Sequence, residues 1–371
     1  MATVMADAGS PFAASYDAAR QQFRAAAGAG GAALVEYRND AAGRGPAGET
    51  LTCDVARFGP RDADRVLFVI SGVHGKEGYA GSAVQCAWMA AGSPGHIAPG
   101  CAVVLIHAIN PWGFAYGSRT TEGNVDLNRN FVDFSRPPPA NPDYDAVHPI
   151  FHTTDPQPQS LDRAIAALEA ARGWMGPKAY ANAMGRGQYT HPDGLMYGGT
   201  APTWSNRTLR AIFAEHLADA RLAALIDLHT GIGDYGSTVF MCFHPPRSAA
   251  WSRARAWWGT RAVDGSTLPA EHKVLADYGG TTLDAFAEAA GTRNGVTVVI
   301  EFGTLGRLAM RRALLVDRWL NLSGGRGEPD AQDLLQTTVA ASAPAEAAWR
   351  EQIVASGVAV LDQAIAGMAR E

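Results

Sequence analysis

Four apolar runs constrain this chain more than any other feature: 65–70 (RVLFVI), 102–109 (AVVLIHAI), 222–228 (LAALIDL) and 296–300 (VTVVI). They are short, rich in β-branched residues and lack a polar alternate face, as strands do inside a sheet covered on both sides. Long connections separate them, and the segment 78–91 between the first two reads as a helix that stops near Gly92. The predicted fold is therefore α/β, a mixed, mostly parallel central sheet with helices on both faces. Each run meets polar residues at or near its carboxyl end, where an open α/β sheet places its ligands.

The remaining segments are read around that sheet. Residues 13–37 begin as an alanine-rich amphipathic helix that breaks at the glycines from Gly28 to Gly31, and 51–56 reads as an edge or hairpin strand. Proline-rich 133–160 is expected to be an inserted loop, as is turn-rich 185–206 (GRGQYTHPDGLMYGGTAPTWSN), which precedes the third run, and the tail 330–371 has helical spacing around Trp349, Ile353 and Val360. With 371 residues, 47% of them hydrophobic, the chain suffices for one large domain over 1–371 that carries these insertions.

Composition removes several function classes. Net charge is −5 without any basic run that could track a phosphate backbone, so nucleic acid is excluded as a partner. No stretch approaches the ~20 apolar residues of a membrane span, and the start MATVMADAGSPF lacks the basic and apolar regions of a secretory signal, so the expected compartment is the cytosol. Cys53, Cys86, Cys101 and Cys242 are widely spaced without a CxxC pair and read as reduced thiols. A homo-oligomer is left open.

The polar residues at the strand ends carry the chemistry. In SGVHGKEGYAGS, His74 and Glu77 stand at i and i+3 at a loop-to-helix junction, where both can converge on one point. The pair suits zinc, which accepts imidazole nitrogen and carboxylate oxygen, but it equally suits a loop hydrogen-bonder beside a first-turn carboxylate. His229 ends the third run and shares a strand face with Asp227; it is either a third metal ligand or a histidine closing a strand. Glu301 ends the fourth run, where a carboxylate must be paired, hydrogen-bonded or open to a cleft; near a metal-activated water it could serve as general base. The stretch NPWGFAYGSRTTEGNVDLNRNF gathers Arg119, Asp126, Asn128, Arg129 and Asn130, and its arginines are candidate anion or oxyanion binders.

HGKEG, NPWGFAYGSR, NVDLNRNF, GQYTHPDGLMYGGTAPTWSN, IDLHTGIGDYG and IEFGT, taken in order, resemble the M14-like zinc carboxypeptidase superfamily, most closely its DUF2817 branch, related to succinylglutamate desuccinylase and aspartoacylase. The resemblance runs from about Tyr16 to beyond Trp319. It implies a carboxypeptidase-like (phosphorylase/hydrolase-like) fold, Zn2+ held by His74, Glu77 and His229, and Glu301 as general base. It further implies Asn128 and Arg129 as the clamp on a substrate carboxylate, Arg119 as polariser of the scissile carbonyl, and Asp126 as acceptor for the ring N–H of His74. A substrate-capping tyrosine has Tyr235, Tyr278 and Tyr197 as candidates by position. The implied reaction is hydrolysis of an amide next to a free carboxylate, by a carboxypeptidase acting on short peptides or by a deacylase of N-acyl amino acids. A binding protein that has lost turnover is the third possibility.

Overall fold

The computed structural model describes residues 10–152, 155–218, 220–291, 294–327 and 331–371. All four apolar runs are strands. In chain order the sheet consists of β1 (Ala33–Arg38), β2 (Thr52–Phe58), β3 (Arg65–Ile70), β4 (Cys101–His107), β5 (Leu222–Thr230), β6 (Thr238–Met241) and β7 (Asn294–Phe302). Their spatial order is β1-β2-β4-β3-β5-β7-β6. The four runs form its parallel centre, β4-β3-β5-β7, and antiparallel β1-β2 and β6 extend it on either side.

Alternation along β3 shows why the run lacks a polar face. Leu67 and Val69 pack into a core shared with the helices Tyr16–Ala29, Gly78–Ala90 and Ala347–Met368. Val66, Phe68 and Ile70 point into the opposite core, with Leu209, Ile212 and Phe213 of helix Trp204–His216 and Ala285 and Phe286 of helix Thr282–Ala290. Both faces are thus covered. Full burial of each large apolar side chain contributes about 1.5–3 kcal/mol, so the two faces together fix the register of the strands whose ends bear the polar residues.

Two expectations are corrected, the edge alternative for 51–56 and the loop over 133–160. Of the two readings of 51–56, the hairpin strand holds and the edge does not: β2 pairs antiparallel with β1, the strand before it, and is buried throughout its length between β4 and β1, which is the edge. That edge strand follows the glycine break in 13–37 and is largely exposed, so it lacks the apolar run that marks a buried strand. Segment 133–160 contains the short helices Pro142–Asp145 and His148–His152 and leads into the helix Pro158–Met175. Tyr144, Val147 and Phe151 belong to a third hydrophobic cluster with residues of the helices Pro158–Met175, Pro177–Gly185 and Arg307–Leu322. In the tail, Trp349, Ile353 and Val360 pack on the core from Ala347–Met368. The opening MATVMADAG and the tail's first residue, Asp330, lie outside the described residues.

Candidate metal centre

β3 ends at Ile70, and the chain reaches His74 in extended conformation before the turn Gly75–Glu77 leads into the helix Gly78–Ala90. This loop is clamped to the arginine-bearing segment by Gly75 N–H donating to the Arg119 carbonyl at 3.2 Å and Lys76 N–H to Ser118 at 2.9 Å. Gly75 is required by close approach: a Cβ there would stand 2.0 Å from the backbone carbon of Gly113. Next to β3, β5 delivers His229, and the parallel β5–β7 register sets His229 directly opposite Glu301. Two strand ends thus deliver His229 and Glu301, and the loop after β3 adds His74 and Glu77 at their i, i+3 spacing.

The donors converge. His74 Nδ1 lies 3.1 Å from Glu77 Oε1, His229 Nδ1 lies 3.1 Å from Glu77 Oε2, and the two Nδ1 atoms lie 3.1 Å apart. All three residues are buried. A tetrahedral ion bound at ~2.0–2.1 Å holds its donors roughly 3.3 Å apart, so two imidazole nitrogens and a carboxylate at this spacing fit a divalent cation such as zinc.

The outer ring nitrogens face carboxylates at ion-pair distance without an aligned hydrogen bond. His229 Nε2 is 3.0 Å from Asp227 Oδ2, and His74 Nε2 is 3.4 Å from Asp126 Oδ1. This pairing favours the tautomer that turns Nδ1 to a metal. Asp126 accepts in addition from Arg119 Nε at 3.1 Å and from the Asn128 N–H at 3.0 Å, and Asp227 from Thr282 Oγ1 at 2.6 Å. Burial pushes the Asp126 carboxyl up, but the Arg119 guanidinium and His74 outweigh it and hold it well below the usual range. Glu77 is likewise held well below its ordinary value, its burial outweighed by the two histidines.

A cavity of about 600 Å³ opens over these donors. Glu301 lines it, and its Oε2 accepts from the Ile232 N–H at 3.3 Å. Burial raises the Glu301 carboxyl to about 7; the charge on His229 opposes this shift and that on Glu77 adds to it. Arg119 reaches the same space, with Nη1 3.4 Å from Glu77 Oε1 and Nη2 3.9 Å from the Met196 sulfur, a weak acceptor and its one partner among the described residues. Arg129 and Asn128 also line the cavity. Arg129 Nε donates to the Gly185 carbonyl at 2.9 Å and Nη1 to that of Asn128, which leaves Nη2 without a hydrogen bond among the described residues. Asn128 turns its Oδ1 to the Thr282 N–H at 3.0 Å, so only its amide nitrogen is left for a ligand.

Every site residue read from the sequence is thus at this cavity or, for Asp126, directly behind it. Of the three tyrosines, Tyr278 lines the cavity with its ring 5.3 Å from the Arg129 guanidinium carbon. Tyr235 is exposed and bonds Glu346, and Tyr197 is buried, its carbonyl accepting from the Asp126 N–H. Sequence reasoning left Asp227 without a role, although the D-x-H alternation was its signal. It also missed a buried ion-pair group behind the loop: Asp317 lies 3.2 Å from Lys76 Nζ, is paired with Arg326, and accepts the Arg119 N–H at 2.7 Å. Only the lysine inside HGKEG could have hinted at it.

Fold and donor set together define an α/β protein with a buried His–Glu–His candidate metal centre at one end of its central strands. Within that class the chain belongs to the family described as a protein of unknown function, DUF2817, which matches residues 12–356. No curated protein matches it. Among solved structures, it is similar to carboxypeptidase A from Helicoverpa armigera at 14% identity, covering 90% of this chain and 74% of that one with a TM-score of 0.41. It is similar also to succinylglutamate desuccinylase from Chromobacterium violaceum at 18% identity, covering 84% and 74% with a TM-score of 0.35. Bovine thrombin-activatable fibrinolysis inhibitor matches at 12% identity, covering 83% and 94% with a TM-score of 0.42.

Proposed function

We propose that the protein is a zinc-dependent hydrolase of an amide bond adjacent to a free carboxylate, acting as a carboxypeptidase on short peptides. One observation carries this reading: a buried His–Glu–His donor set, a carboxylate raised to about 7 and two arginines with free donors share one cavity. His74, Glu77 and His229 would hold the ion. When bound, zinc supplies a water of pKa near ~7 and Lewis acidity toward a carbonyl.

The chain's own residues divide the remaining work. Glu301, anchored through Oε2 to the Ile232 N–H, takes a proton on Oε1 and later returns it to the leaving amine; a group titrating near 7 suits both steps. Arg119 holds the developing oxyanion with its guanidinium, which Asp126 orients from behind. Arg129 Nη2 and the Asn128 amide hold the substrate carboxylate, and Tyr278 closes over it from beside Arg129. Four free cysteines, three of them buried, are in keeping with a reducing compartment, and we place the protein in the cytosol.

Deacylation of N-acyl amino acids uses the same groups, and the polar far wall of the cavity described below favours it as the second reading. The test is turnover of a panel of dipeptides and N-acyl amino acids by the zinc-loaded protein. Hydrolysis confined to substrates with a free carboxylate is expected; a zinc-loaded protein that cleaves no member would contradict the proposal.

A further inference from the structure

The helix Arg307–Leu322 begins five residues after β7 and turns one face to the cavity: Arg307, Met310, Arg311 and Leu314, at i, i+3, i+4 and i+7, all line it. Two of these are arginines, and they differ in what holds them. Arg307 forks onto Glu169 through Nη1 and through Nη2, the latter at 3.0 Å. Arg311 forms no ion pair among the described residues, although the charge on Glu169 reaches it. Its guanidinium lies over the Tyr180 ring, 5.1 Å from the centroid, and its Nε and Nη1 are sealed from solvent without a hydrogen-bond acceptor, as is the Tyr180 hydroxyl. Nη2 is not sealed in and has no hydrogen bond among the described residues either.

A partly buried guanidinium without a directly paired anion is a costly arrangement. Burial pulls the Arg311 pKa down and the neighbouring Arg307 adds to this, while Tyr180 and Glu169 oppose the shift without cancelling it. Arg172 lines the cavity close enough for its charge to act on Tyr180 and Glu169 and forms no ion pair among the described residues, whereas Glu271 acts in the same way on Arg307. Three arginines therefore stand against Glu169 and Glu271, and Glu169 is already engaged. The wall has spare positive charge.

The helix Pro177–Gly185 gives a ruler between this wall and the carboxylate clamp. Its Gly185 carbonyl accepts from Arg129, and its Tyr180 underlies Arg311. Five residues of helix separate the two contacts by roughly 7.5 Å along the axis. Met184 lines the cavity between them, so the intervening wall is apolar.

We infer that Arg311, with Arg172 beside it, forms a second anion subsite, so that the substrate carries an acidic group at each end: one carboxylate on Arg129 and a second anionic group on Arg311, joined by an apolar span. This rests on the hydrolase reading above and narrows its substrate class. Two sources share that chemistry, an amino acid acylated with a dicarboxylic acid and a peptide with an acidic residue before the scissile bond.

Matched substrates differing only in the distal charge test the inference: N-succinyl-phenylalanine against N-butyryl-phenylalanine, and Glu-Phe against Gln-Phe. With the zinc-loaded protein, kcat/KM for the acidic member of at least one pair is expected to exceed that of its neutral partner about tenfold or more, as for a charge-assisted contact. The pair with the larger ratio identifies the source. In Arg311→Met that ratio should fall to within about twofold of one, and in Arg311→Lys it should stay between the two. Ratios near one for both pairs in the wild type, or a ratio that survives Arg311→Met, would overturn the inference. Calorimetric binding of the same compounds to the metal-free protein separates this failure from that of the hydrolase reading. A tighter Kd for the acidic member without any turnover would sink only the hydrolase, and turnover without a charge preference only the subsite.

Discussion

Both histidines of the centre turn the same ring nitrogen, Nδ1, inward and face an aspartate with Nε2. That choice follows from where the carboxylates stand, Asp227 two residues before His229 on one strand face and Asp126 in the loop that carries Arg119. Glu301 is set apart from these donors by its raised pKa. Glu301→Gln keeps the shape and the Ile232 contact and removes the proton acceptor. It should lower kcat by roughly 10²–10⁴-fold while bound zinc, measured by elemental analysis, stays at the wild-type ratio. As the base must be ionised, kcat/KM should fall as pH drops through the Glu301 pKa. That limb is expected at or below about 7, since a bound cation lowers a nearby carboxyl, and it should be absent in the variant. For the clamp, Arg129→Ala should cost about 2–5 kcal/mol of transition-state binding for free-carboxylate substrates and far less for their amides. Steady-state kinetics on such a pair checks this, and equal losses on both would remove Arg129 from that role.

At the level of elements, the site depends on how loops are tied to strand ends. Lys76, Asp317 and Arg326 form a buried ion-pair group that links the metal-bearing loop to the helix Arg307–Leu322, and the same aspartate fixes the Arg119 amide. Asp317→Asn leaves two buried cations short of their counter-charge and should cost about 3–5 kcal/mol in urea unfolding. The sign with pH follows. Burial pushes the Asp317 carboxyl up, but Lys76 and Arg326 outweigh it and hold it below the usual range. Its contribution is therefore complete above the unfolded pKa of ~3.9 and is lost as pH falls through the lower folded value, so wild type and variant should converge in acid. The central sheet was legible because buried parallel strands have no polar alternation to blur them, and the ligands because polar residues directly after such runs stand out. The edge strand β1 was not legible, because pairing along one side only and exposure leave no apolar signature. Nor were Asp317, Arg326 and Arg311: they lie on or just after one helix far along the chain from the loops they meet, and spacing in sequence gives no measure of that proximity.

Across the whole molecule, two cores fasten the sheet, and a third cluster of helices stands beside the cavity. Among the described residues no helix is long and apolar enough to cross a membrane. Because the donors come from the loop after β3 and from β5, an ion would tie neighbouring strand ends together. Zinc present at about a thousand times its Kd should add about 4 kcal/mol to the unfolding free energy, seen as a higher Tm that chelation reverses together with activity. The most direct test of the central claim is an anomalous difference map at the zinc edge from crystals grown with the metal. One ion in contact with Nδ1 of His74, Nδ1 of His229 and the Glu77 carboxylate is the expected result. An ion bound only at His148, His152 and Asp193, the other described group of donors within 4.8 Å of one another, or no ion at all, would contradict it.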